Sequence, residues 1–151
     1  MFSYICLCFV VTGCLGDSSG SIMSKDESQE FFKETSSLSV GCLDEYGLSP
    51  EKVEEVKENG KLDDLDPCFF RCLLGKIGFM DEGGMYDHSS AKTLFAKFVK
   101  DEDRFLKLSE AMETCLKVND QNVSAGKQGE CERAVLLGKC ITSLEADSEW
   151  I

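Results

Sequence analysis

Basic residues are scarce in this chain: 16 lysines and arginines stand against 28 aspartates and glutamates, a formal net charge of −12 over 151 residues. A surface of that sign repels nucleic-acid phosphates and anionic lipid headgroups, which argues against nucleic acid as a partner and against stable membrane insertion. Histidine is scarcer still. The one residue, His88, sits between Asp87 and Ser89 in a polar stretch. Residue types for a Ser-His-Asp triad are present, but no nucleophile elbow accompanies them. A small ribonuclease needs two histidines, and a secreted phospholipase needs a histidine beside a cysteine with a glycine-rich calcium loop. Neither pattern occurs. Calcium-loop spacing is missing too, and the acidic pairs Asp63-Asp64 and Asp101-Glu102-Asp103 read as helix starts. The chain therefore reads as a non-enzyme with no metal and no cofactor.

Strand-like alternation is absent throughout, and no apolar run is long enough to span a bilayer. The first sixteen residues, MFSYICLCFVVTGCLG, carry no charge; Ile5 to Val11 is apolar, and Cys14 and Gly16 are small residues at positions −3 and −1 of a cut before Asp17. This reads as a secretory signal peptide over 1–16, although its start has no Lys or Arg, with a single domain over 17–151. The expected location is extracellular.

Cysteine is abundant by contrast. Cleavage removes Cys6, Cys8 and Cys14 from a total of nine and leaves six: Cys42, Cys68, Cys72, Cys115, Cys131 and Cys140. An even set in a small secreted domain is a disulfide framework. The close pairs are spaced x3 and x8, not C-x2-C, which disfavours zinc.

Helical periodicity fills most of the remainder. Asp17 to Ser28 is Ser- and Gly-rich and reads as a frayed start. Phe31, Thr35, Leu38 and Cys42 form a stripe closed by Tyr46-Gly47. The only two prolines, Pro50 and Pro67, both follow capping residues and mark helix starts. The helix from Pro50 runs to about Glu58, and the one from Pro67 to about Phe79, where Gly83-Gly84 closes it. Ser89 or Ser90 caps a fourth helix with Leu94, Phe95, Phe98 and Val99 on its apolar face. A fifth, begun by Asp101 to Asp103, carries Phe105, Leu108, Met112 and Cys115 and ends near Asn119. Asp120 to Gly129 reads as a loop, and it contains the glycosylation acceptor Asn122-Val123-Ser124. The last helix spans Glu130 to Leu144 and is apolar round much of its circumference. The expectation is an all-α domain of six helices.

Cys68 and Cys72 share one helix face a turn apart, with near-parallel Cβ vectors, so each must bond a different neighbour. Cys131 and Cys140 point to nearly opposite sides of their helix. These geometries exclude the 68–72 and 131–140 pairs and leave the remaining pairings open.

The series Cys42-x25-Cys68-x3-Cys72-x42-Cys115-x15-Cys131-x8-Cys140, with the run CFFRCLLGKIGFMDEGG, resembles the insect odorant-binding proteins, the pheromone and general odorant-binding family. The resemblance implies the pairing 42–72, 68–131 and 115–140 around a hydrophobic cavity. It implies a secreted carrier of odorants, pheromones or similar small hydrophobic molecules, acting as a monomer or weak homodimer that delivers to a membrane chemoreceptor. By position relative to the family's cysteines, the cavity lining falls on Leu74, Ile77, Phe79, Phe95, Phe98, Leu108, Met112, Ala134, Leu137 and Ile141. Tyr86 would offer a hydroxyl. In several members the C-terminal segment folds over the cavity, which would bring Trp150 to its mouth. The alternatives are a venom, salivary or reproductive-fluid protein on the same scaffold, or a saposin-like lipid-interaction protein.

Overall fold

The computed structural model describes residues 23–146. Among them are six α-helices: α1 Lys25–Tyr46, α2 Pro50–Glu58, α3 Pro67–Lys76, α4 His88–Ala96, α5 Glu102–Glu113 and α6 Gly126–Ala146. Two 3₁₀ segments, Leu62–Asp64 and Thr114–Asp120, lie between them. The described residues contain no strand beyond one isolated antiparallel bridge, Met80 to Tyr86.

Most helix starts follow the local chemistry. Asp66 precedes Pro67 and accepts the Cys68 N–H at 2.8 Å. The Ser49 hydroxyl accepts from Lys52 N–H at 3.1 Å before α2. Asp101 accepts from Arg104 N–H at 2.8 Å before α5. Each side chain satisfies a donor that has no partner inside its helix.

Several boundaries differ from expectation, among them the end of α5 at Glu113, where the chain tightens into the 3₁₀ segment Thr114–Asp120 instead of continuing as α-helix to Asn119. Residues 25–28 are not frayed: Ser24 and Glu27 form a capping box, each side chain bonded to the other's backbone N–H, and this starts α1 at Lys25. Helix α3 stops at Lys76, three residues before Phe79. Gly78 adopts φ +86, a left-handed conformation that favours glycine, and turns the chain out of the helix. Asp87, not a serine, caps α4, accepting Ser90 N–H at 3.0 Å, so His88 is the first residue of that helix. Phe98 and Val99 fall in the turn after α4, although both are buried as expected. Finally, α6 begins at Gly126, which narrows the expected loop to 121–125.

Helix α6 packs along α3, and α3 against α1. Three disulfides fasten these contacts: Cys42–Cys72 joins α1 to α3, Cys68–Cys131 joins α3 to α6, and Cys115–Cys140 joins the second 3₁₀ segment to α6. Cys68 and Cys72 thus leave α3 for different helices, and Cys131 and Cys140 do the same from α6, which interlocks the bundle. One hydrophobic core runs through it, with Phe31, Phe69, Phe79, Phe95, Leu73, Leu74 and Leu137 all under 2 % exposed.

Candidate functional site

The core has two aromatic centres. Phe69 contacts Phe70 and Tyr46, filling the space between α3 and α1. The second centre gathers rings from three separate segments. Phe31 of α1 stacks on Phe95 of α4 at 5.4 Å and meets Phe98 edge-on at 5.2 Å; Phe79, from the turn after α3, lies 5.5 Å from Phe95. No periodicity within one helix could reveal this cluster, because each helix contributes one or two of its members. Phe31 was legible only as part of the α1 stripe, and sequence reasoning did not place it among the site residues.

Of the residues expected to line a cavity, Leu74, Ile77, Phe79, Tyr86, Phe95, Phe98, Leu108, Met112, Ala134, Leu137 and Ile141 are all buried in this one core. Trp150 and the expected 1–16 signal segment lie outside the described residues.

Tyr86 does not present a free hydroxyl. Its O–H donates to the Met112 carbonyl at 3.2 Å, and the same oxygen lies 3.3 Å from His88 Nδ1. Burial pushes its pKa well up, and the neighbouring Asp87 charge adds to this, so it stays a donor. The other buried polar side chains are occupied as well. The Thr35 and Ser39 hydroxyls donate to Phe31 and Ser36 carbonyls in their own helix. Glu27 is held by four donors: Arg104 Nη1 and Nη2 at 2.8 and 3.0 Å, and the Ser24 and Lys100 N–H groups at 2.8 and 3.1 Å. Burial alone would raise the Glu27 carboxyl. The hydrogen bonds from Arg104, Ser24 and Lys100 outweigh it and hold the pKa at about 2, against an ordinary 4.5. The buried polar side chains Glu27, Thr35, Ser39 and Tyr86 are therefore all engaged within the fold.

An open groove of about 290 Å³ lies over the edge of this core, lined by Ile77, Ser89, Ser90, Thr93, Leu94 and Lys97. Its apolar side belongs to the core, since Ile77 is a buried member of the hydrophobic core and Leu94 packs against that core. Its rim carries hydroxyls and the ammonium of Lys97, which lies 3.7 Å from Glu34 of α1, both side chains being more than half exposed. No hydrolytic relay is assembled here. Ser90 Oγ donates directly to Asp87 Oδ2 at 2.6 Å, while the His88 ring meets Tyr86. Among the described residues no group of His, Cys, Asp and Glu side chains could hold a metal ion, and no helix is long and apolar enough to cross a membrane.

A triple-bridged helical shell with an apolar, aromatic-rich interior and a small rimmed groove is the architecture of a small helical disulfide-stapled domain with room for a small molecule at its edge. The profile of the PBP/GOBP family matches residues 24–143, and the chain belongs to that family. The match contains all six bridged cysteines and the whole aromatic cluster. The family is one of odorant- and pheromone-binding carriers, not of enzymes, and its members are secreted soluble proteins. No curated protein and no solved structure matches the chain.

Proposed function

We propose that this protein is a secreted carrier that takes up small apolar molecules, odorants, pheromones or similar semiochemicals, at the Phe31–Phe79–Phe95–Phe98 cluster and moves them through aqueous extracellular fluid. The observation that carries this reading is the continuity between groove and core. Two of the groove's lining side chains belong to the hydrophobic core that also holds the four rings: Ile77 is one of its buried members and Leu94 packs against it. A ligand lying on Ile77 and Leu94 enters by displacing neighbouring rings rather than by crossing a polar layer.

The energetics fit a modest affinity. Burying about 300 Å² of ligand surface gains about 7 kcal/mol at ~25 cal/mol per Å², before the costs of association. Low-micromolar binding corresponds to about −8 kcal/mol. Reaching it takes close shape fit against the rings, a larger buried area, and a hydrogen bond from a polar ligand end to Ser89, Ser90 or Thr93 at the rim. The three disulfides keep the shell folded while the interior rearranges.

A fluorescent apolar probe titrated into the protein tests this directly, with a stoichiometry near one and micromolar affinity expected. Phe95→Leu alters the cluster and should weaken binding several-fold. Phe69→Leu makes the same change at the other aromatic centre and should leave binding as it is. Circular dichroism keeps the comparison to folded protein. Equal affinity in both variants places the ligand elsewhere and removes the basis of the proposal.

A further inference from the structure

The chain has three asparagines, Asn59, Asn119 and Asn122, and of these only Asn122 is followed two residues later by a hydroxyl residue, Ser124. The structure gives the two neighbours opposite roles. Asn119 is held at both ends of its amide: Oδ1 accepts Tyr86 N–H at 2.8 Å and Nδ2 donates to the Tyr86 carbonyl at 3.0 Å, fastening the turn that carries Tyr86. Asn122 is exposed and has no hydrogen-bond partner among the described residues. It stands in a stretch, 120–128, that is exposed at every position except half-buried Val123. No packed element would have to move to make room for a bulky group there.

The base beneath Asn122 is rigid. Glu132 of α6 accepts both the Ser124 N–H at 2.9 Å and the Ser124 hydroxyl at 2.7 Å. Those two hydrogen bonds, the backbone one first, lower the Glu132 pKa. Gly129 is buried directly under the Ser124 carbonyl, where any Cβ would collide with it, so the loop lies flat on α6. Cys115 and Cys131 anchor the two sides of the segment through their bridges. A group attached at Asn122 would project outward from a fixed platform without disturbing an existing contact.

We propose that Asn122 carries an N-linked glycan, an inference that rests on the secreted reading because the transfer takes place in the secretory lumen. The donor is an oligosaccharide linked to a lipid pyrophosphate. A bond forms between Asn122 Nδ2 and the anomeric carbon of the first sugar. The bond from that carbon to the pyrophosphate oxygen breaks, the lipid pyrophosphate leaves with the bonding pair, and the amide gives up one proton.

The full chain, expressed from its first residue in cultured insect cells, provides the test by intact mass of protein from medium and cells. The expected product in the medium is heavier than its polypeptide. Treatment with an N-glycosidase should remove the excess and leave aspartate at position 122. Asn122→Gln should abolish the excess without moving the thermal midpoint, because that side chain has no partner to lose. Asn119→Gln should keep the excess and lower the midpoint. Ser124→Thr, which preserves the acceptor pattern, should also keep the excess. Protein in the medium at bare polypeptide mass overturns the glycan and leaves secretion standing. Chain found only inside the cells at bare mass overturns both.

Discussion

Acid should unfasten the start of α1, and the Glu27 clamp sets the size of the effect. Glu27 is 8 % exposed and receives four hydrogen bonds, two of them from Arg104 of α5. Its pKa falls from 4.5 to about 2 on folding. A carboxyl depressed in the folded state stabilises the fold fully above its unfolded pKa, and that contribution disappears as pH falls toward the folded value. The window here is pH 4.5 down to 2. At about 1.36 kcal/mol per pH unit, the full contribution at neutral pH is about 3 kcal/mol. This is a ceiling, because the Arg104 side chain is 37 % exposed and water weakens the pair. Linkage places the loss of about 2 kcal/mol of it between neutral pH and pH 3. Glu27→Gln removes the charge while keeping the shape. In urea unfolding with disulfides intact, the variant should be less stable than the natural chain by about 2–3 kcal/mol at pH 7. The gap should shrink to about 1 kcal/mol at pH 3 as the natural chain loses the same interaction. Taking the difference between the two chains cancels the other acidic residues. A gap that is absent at pH 7, or that stays constant from pH 7 to pH 3, refutes the reasoning.

Three other outcomes follow from the geometry. Tyr86→Phe should cost about 1 kcal/mol in denaturant unfolding yet leave probe affinity unchanged, because the hydroxyl is engaged by the Met112 carbonyl. Among double Cys→Ser replacements, losing the Cys68–Cys131 bridge, with a sequence separation of 63, should destabilise most, by about 4.3 kcal/mol. The Cys115–Cys140 bridge, with a separation of 25, should contribute about 3.5 kcal/mol, and unfolding midpoints of the two variants read the order. Gly84→Ala should cost more than Gly47→Ala. Both have positive φ, at 73° and 60°, but only at Gly84 would a Cβ meet the Glu130 side chain that pairs with Arg71. Gly47→Ala should cost about 1 kcal/mol, the backbone penalty alone.

Much of this protein was legible in the linear sequence. Helix starts at Pro50, Pro67 and Glu102 are local events, since a capping side chain sits within three residues of the donor it satisfies, and the sequence holds both partners. The same locality excluded a bond between Cys68 and Cys72, because a helix fixes the direction of both side chains. Burial of Phe95, Leu108 and Met112 followed from periodicity alone. The misplaced boundaries came from shorter signals. The Ser24–Glu27 capping box lay hidden in a polar stretch, and the end of α3 depended on the backbone angle at Gly78.

Only the tertiary structure decided which apolar residues meet. Phe31, Phe79, Phe95 and Phe98 are spread over more than half of the described chain, and ring contact depends on how α1, α4 and the turn after α3 cross. It also decided which polar groups remain free. Tyr86 looks like a ligand handle until the Met112 carbonyl is brought beneath its hydroxyl, and only the fold ties Asn119 to Tyr86 while leaving Asn122 exposed. Helix caps and periodicity arise from neighbours along the chain and can be read there. Hydrogen-bond partners distant in sequence, and a core built from several segments, exist only after the helices pack.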